Sequence, residues 1–262
     1  MVQILISLIF LYSTNSNAFT LSTTNAAAFE TEEIIVNVGN QSCNNIGVTN
    51  DEILDMAKQA IEDYWNRAPT SNLKLKIGNV VETSSDFYTQ PICQASTNCT
   101  PTTALIVSSG ITISCNNNST DFSDSRILAV TVPNNLDGKK IQGALLLIND
   151  RSGSQFANKT RDEMTAVIAH EIGHAIGLGH SPVNDSLMYF QTVPQRRSLG
   201  EDDIDGAAYL YPQDQPFGCG TVIDVANKNS KNGTGQNILF FCLSWLLASS
   251  FIKISLKVKK NT

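Results

Sequence analysis

The sequence predicts an α+β domain. Three observations point there: short β-branched runs that read as strands, amphipathic segments opened by capping boxes that read as helices, and a mixture of the two with no internal repeat. Glu33 to Val38 (EIIVNV) reads as the first strand. Thr49 precedes Asn50-Asp51-Glu52 at capping-box spacing and opens a helix to about Asn66. Its apolar positions Ile53, Leu54, Ala57, Ala60, Ile61 and Trp65 recur at helical spacing and face the core. Leu73 to Ile77 (LKLKI) alternates like a half-buried strand. From Thr83 to Ser125 the chain is rich in Ser, Thr and Asn and carries three cysteines. Only Ala104 to Val107 and Ile111 to Ile113 read as strands there, so residues 83–125 are expected to form a disulfide-pinned surface insertion around a hairpin. Ile127 to Val132 and Gly143 to Ile148 are two further strands, joined by a turn at Asn134 to Gly138. Thr160 and Glu163 form a second capping box, and Met164, Val167, Ile168, Ile172, Ala175 and Ile176 make the apolar stripe of that helix. Gly177 and Gly179 break it. A last helix runs from near Gly200-Glu201-Asp202 to Tyr211 and is stopped by Pro212.

With 262 residues, 42% of them hydrophobic and 16% charged, the chain can build a sizeable core. Net charge is −6, and residues 214–262 hold six lysines against two aspartates, so the body is the acidic part. Nucleic acid is therefore not an expected partner, because phosphate binding needs a basic face.

The two ends read as addresses rather than fold. Ile4 to Tyr12 is a short apolar run, and Ser16-Asn17-Ala18 offers the small-x-small pattern of signal-peptide cleavage, placing a signal peptide over 1–18 and a polar, unstructured lead-in over 19–30. The domain proper is expected over 31–213, followed by a linker over 214–236. Ile238 to Ile252 is apolar or small throughout, and the stretch extends to Val258 if Lys253 snorkels. Residues 237–258 thus read as a C-terminal transmembrane or sorting segment, and the basic tip 259–262 stays inside by the positive-inside rule. Together these predict an exported, cell-surface protein that meets the membrane through its C-terminal segment.

Six cysteines suit an oxidising compartment. Cys43, Cys93, Cys99 and Cys115 lie in the body and allow three pairings, of which Cys93–Cys99 is the favoured expectation.

The chemistry concentrates in one place. All three histidines of the chain fall within HEIGHAIGLGH. His170 and His174, four residues apart on a helix, share one face and can grip one metal ion. Glu171 points about 100° away around the helix, where it flanks the metal and can take a proton from an activated water. Gly177 lets the chain leave the helix in a conformation closed to other residues, Gly179 keeps the turn tight, and His180 swings back as third ligand. Three protein ligands leave one tetrahedral position open, the mark of a catalytic zinc site.

HEIGHAIGLGH resembles the zinc signature HExxHxxGxxH of the metzincin proteases, which is followed by a methionine turn. Ser186-Leu187-Met188-Tyr189 supplies that turn. Within the clan the chain is similar to the matrixins, the matrix metalloproteinase family. Ser181 follows the third histidine, and Leu199, Asp202, Asp203, Ile204 and Leu210-Tyr211 resemble the family's closing helix. Leu128, Ala129 and Val130, with Pro133 beyond, look like its substrate-binding edge strand. The resemblance implies a metzincin-like catalytic domain: a twisted mixed sheet with an active-site helix and a C-terminal helix. It also implies a zinc-dependent endopeptidase acting on protein or peptide substrates. In it Glu171 is the general base, Met188 is an apolar floor beneath the zinc, and Asp202 and Asp203 brace the turn. No cysteine switch, haemopexin-like domain or second set of zinc-binding histidines is found, which points to a minimal branch of the family holding one zinc. Calcium is the second metal considered, through oxygen ligands in the loops Asn149-Asp150 or Asp121 to Asp124. A catalytically idle, zinc-stabilised surface binding protein is the alternative; the presence of Glu171 argues against it.

Overall fold

The computed structural model describes residues 19–31, 33–92, 103–191 and 196–213. Its strands are β1 (Ile34–Gly39), β2 (Leu75–Val81), β3 (Gly110–Asn116), β4 (Ala129–Asp137) and β5 (Lys140–Asn149). They form one sheet in the order β2-β1-β3-β5-β4. The first four are parallel neighbours, and β4 runs antiparallel to β5 at the edge. Parallel neighbours need a crossover, and α1 (Asn50–Asp63) supplies the one between β1 and β2. Two more helices follow the sheet, α2 (Arg161–Ala175) and α3 (Glu201–Leu210). The α+β class holds.

Both expected capping boxes form. The hydroxyl of Thr49 accepts from Glu52 N, and that of Thr160 accepts from Glu163 N, while each glutamate reaches back to its N-cap amide. α1 ends at Asp63, earlier than its apolar pattern suggests, and Trp65–Arg67 form a 3-10 turn. Fully buried Trp65 donates its indole N–H to Ala169 O at 2.7 Å, which ties the end of α1 to the middle of α2.

β5 explains the layering. Ala144, Leu146 and Ile148 point into the main core with α1 and α2. The alternate residues Leu145 and Leu147 point into a second cluster with Phe87, Ile92, Leu105, Val107 and Phe122. A strand covered on both faces reads as an unbroken apolar run, and β5 does.

That second cluster corrects the reading of residues 83–125 as a surface insertion. Gly110–Asn116 is an interior strand paired on both sides, and Ile111, Ile113 and Cys115 are fully buried beneath the sheet. Ala104 lies in a 3-10 turn, Thr103–Leu105, so no hairpin forms there. The polar residues that suggested a surface are instead staples. Buried Asn116 donates to Phe87 O and Gln90 O, and Asn118 donates to Thr89 O. Cys43 and Cys115 are joined by a disulfide, locking the loop after β1 to the end of β3. Cys93 and Cys99 lie outside the described residues.

Two local expectations also change. The lead-in is ordered: Ala27 and Phe29 are buried in the main core, Ala28 bridges to Lys140, and Leu21 bridges to Leu178. Its polar, alanine-rich composition gave no period because it is held by backbone pairing to distant segments. The turn expected at Asn134 to Gly138 sits later, because Asn134 and Asn135 continue β4 through an irregular register to the Asp137–Lys140 pair. Only Gly138 and Lys139 remain in the turn, with Gly138 at φ +62°.

The signal peptide expected over 1–18, the linker 214–236, the apolar segment 237–258 and the tip 259–262 lie outside the described residues. Among those described, no helix is long and apolar enough to cross a membrane.

Candidate active site

The site grows from the last turns of α2. His170 and His174 stand one turn apart, and the loop after the helix returns His180 to them. The loop can turn because Gly177 has φ +111°, and a Cβ there would lie 2.4 Å from Ala27 O. Gly179 serves a different end from the tight turn expected of it. A Cβ at that position would lie 2.4 Å from Thr20 Oγ1 and 2.8 Å from Leu21 O, so glycine admits the lead-in strand. Ser22 N donates to Gly177 O at 2.8 Å, Gly179 N to Thr20 O at 2.8 Å, and Thr20 Oγ1 to His180 O at 2.6 Å.

Ligand nitrogens of the three histidines all lie within 4.8 Å of one another. Carbonyls can only accept, so the contacts His170 Nδ1–Leu187 O at 2.7 Å and His174 Nδ1–Leu178 O at 2.8 Å place the proton on Nδ1. Nε2 of each ring is then left with its lone pair free. His174 Nε2 and His180 Nε2 are 3.3 Å apart. That matches the edge of a tetrahedron with bonds of about 2.0–2.1 Å, so the donor set fits zinc. Burial, and behind it the charge of His170, pushes His174 down to about 3; burial likewise lowers His180. These two rings are therefore neutral, the ligating form, at ordinary pH.

Glu171 is 8% exposed, and its Oε2 is buried without a hydrogen-bond partner. Burial raises its pKa, and the charge of His170 opposes that in part. Met188, 2% exposed, packs under the helix: a Cβ on Gly173 would lie 2.2 Å from its Sδ. Its carbonyl accepts from Ser181 N at 2.8 Å, closing the loop that carries His180.

Of the two acids at the start of α3, Asp203 holds the methionine turn. Buried, it accepts from Leu187 N at 2.5 Å, Met188 N at 3.0 Å, Gly200 N at 2.7 Å and the hydroxyl of Ser186. Asp202 makes none of these bonds, and its Oδ2 is buried without a partner. The spacing could not separate the two, since either fits an N-terminal turn.

Leu128 leads into the edge strand β4, which Ala129 and Val130 open and whose outer side pairs with no strand among the described residues. Two cavities flank the histidines. One, of about 320 Å³, lies between Leu128-Ala129, α2 and Leu187; Arg126 and Arg196 also line it. The other, of about 540 Å³, follows β4 from Ala129 to Pro133 and is bounded by Ser22 and Thr23. Sequence reading did not find the two arginines, Thr20 or the Ser22-Thr23 wall, because each meets the site only through the fold.

The acids considered for calcium have other partners. Asp150 Oδ1 accepts from the amides of Asn45 and Ile46, and its Oδ2 from Tyr88 Oη, which burial and then that contact push up to about 12. Asp121 accepts from Ile92 N, and Asp124 pairs with Arg126. Among the described residues the three histidines are the one metal-competent group.

Comparison with known proteins agrees with this geometry. Residues 104–212 match the family model described as matrixin. "Metalloendoproteinase 2-MMP" of Arabidopsis thaliana is 34% identical over 90 residues, which is 34% of this chain and 22% of that protein. "Stromelysin-2" of Rattus norvegicus is 40% identical over 72 residues, 26% of this chain and 15% of that protein. "Metalloendoproteinase 1" of Glycine max is 45% identical over 51 residues, 19% of this chain and 17% of that protein. The chain thus spans under a quarter of the length of these relatives. The stretch from 104 to 212, which contains the whole histidine site, is the part of the chain that is similar to the matrixins.

Proposed function

We propose that this chain is a zinc-dependent metalloendopeptidase that hydrolyses peptide bonds in proteins. The observation that carries the reading is the pairing of three convergent imidazoles, two with Nδ1 tied to carbonyls, with a buried carboxylate whose one oxygen has no partner. His170, His174 and His180 would hold zinc, which supplies Lewis acidity to polarise the scissile carbonyl and make water acidic at neutral pH. Glu171, raised above the usual carboxylate range by burial, takes the water's proton and passes it to the leaving amine. Its unpartnered Oε2 is the atom suited to that transfer.

The substrate lies extended along the free edge of β4, where Leu128, Ala129 and Val130 offer backbone groups. Met188 is the apolar floor, and Asp203 keeps it there by holding the turn. The apolar run and small-x-small site within 1–18 support export, and 237–258 would serve as a C-terminal transmembrane or sorting segment. One zinc per chain is the expected content.

The test compares the full chain with Glu171→Ala, each stripped of metal and reloaded with zinc. The variant should keep zinc and fold while losing on the order of 10²–10⁴-fold in peptide cleavage. Cleavage by the variant at the rate of the parent would sink the mechanism.

A further inference from the structure

The chain has six arginines, all among the described residues. Arg67, Arg126, Arg161 and Arg197 pair with Asp63, Asp124, Asp55 and Asp162, and Arg151 donates to Phe122 O. Arg196 is the exception. Its Nε is buried with no hydrogen-bond partner, and among the described residues its side chain has no ion-pair partner. A buried donor with no acceptor carries a desolvation penalty that a folded protein normally avoids, so each such group asks for an explanation.

The position of Arg196 supplies one. It lines the cavity of about 320 Å³ that opens beside His170, Glu171 and His180. Its backbone carbonyl accepts from Tyr64 Oη at 2.7 Å, so the residue is fixed against α1 and does not simply trail in solvent. The remaining wall is largely apolar, with Val167, Leu187 and Phe190 among its members. Arg126, the other cation on the wall, is already neutralised by both oxygens of Asp124. Glu171 is the one acid on the wall, and it belongs to the proton transfer. The cavity therefore has an uncompensated guanidinium as its own positive group, beside the histidines that would hold zinc.

We propose that Arg196 makes this cavity a carboxylate pocket, so that the enzyme cleaves next to an acidic side chain, preferring glutamate to its neutral isostere glutamine. The inference rests on the metallopeptidase reading and names its substrate class. A guanidinium meets a carboxylate with two parallel N–H···O bonds and charge assistance. A neutral amide offers it one weaker acceptor and leaves donors unpaired. An aliphatic side chain can fill the apolar wall but leaves Nε unsatisfied.

The experiment uses the zinc-loaded full chain and a peptide library varied at both positions flanking the scissile bond. The peptides are amidated at the C-terminus, so that side chains carry the only carboxylates. Glutamate at one flanking position should be favoured over glutamine by roughly tenfold in kcat/KM. The preference should shrink with added salt, as an incompletely buried ion pair does. Arg196→Met should bring the glutamate-to-glutamine ratio close to one, while Arg197→Gln, which breaks only the surface pair with Asp162, should leave the ratio unchanged. A parent enzyme that prefers leucine or phenylalanine at both positions, or a glutamate preference that survives Arg196→Met, overturns the proposal and leaves the metallopeptidase reading standing. Absence of cleavage for every peptide overturns both.

Discussion

The helix α2 with its following loop and the stretch from 83 to 125 are built on opposite principles. The first is assembled mainly from neighbours in sequence, with the Thr20 to Ser22 segment as the one distant support of its loop: the capping box spans three residues, the helical histidine pair four, and the Ser186–Met188 contact two. The second is assembled from strangers. Cys115 reaches Cys43 across 72 residues, Asn116 reaches Phe87 across 29, and β3 is paired with β1 and β5. Local devices give α2 its shape before anything packs on it, whereas β3 has no pairing partners without the rest of the sheet.

The contrast can be broken at Ile113. Fully buried on β3, it should cost about 2–5 kcal/mol when changed to Ala. A substitution in a surface insertion would stay within about 0.5 kcal/mol. Denaturant unfolding of the full chain separates the two, and a midpoint unchanged from the parent would restore the surface reading.

A second measurement sharpens the other side of the comparison. Zinc needs neutral imidazoles, and a pKa lowered in the fold keeps the neutral form in place as pH falls. His174, pushed down to about 3, and His180, also lowered, should therefore not surrender zinc to protons at the ordinary histidine value of about 6.5. Titrating the loaded protein downward with a zinc-sensitive dye should give half-release below that pH. Half-release at or above it would mean that burial does not protect these ligands.

How much could be read in advance follows from the same division. The convergence of His170, His174 and His180 and both capping boxes were legible because such devices demand particular residues at short, fixed offsets. The α+β class was legible from periodicity. The strand character of Ile111 to Ile113 was legible too, but not the interior place of β3, since its Thr112 and Ser114 alternate with Ile111, Ile113 and Cys115 in a way that fits an exposed hairpin equally well. Burial of those hydroxyls is settled only by the layer of Phe87, Leu105 and Phe122 above them. Asp203 could be narrowed to a pair with Asp202 and no further. Arg196 had no pattern at all, because an isolated arginine in a loop is usually a solvated one.

The smallest effect belongs to Thr20, a residue of the lead-in. Its hydroxyl bond to His180 O is one neutral hydrogen bond, worth about 0.5–1.5 kcal/mol. Thr20→Val should speed zinc loss to a chelator by a few-fold, and Thr20→Ser should restore the parent rate. Equal rates in all three proteins would remove Thr20 from the support of the third ligand.

Thr20 and His180 are separated by 160 positions. A chain made from its N-terminus at roughly 5–20 residues per second carries the first partner for about 8–32 s before the second exists. Closing so long a loop is entropically among the later events of folding. The helical ligand pair can therefore form early, but the third ligand gains its N-terminal support only near the end of maturation. The histidine site is thus timed by its own topology: the contact that steadies His180 is made last, after the chain that carries it has been made and has collapsed.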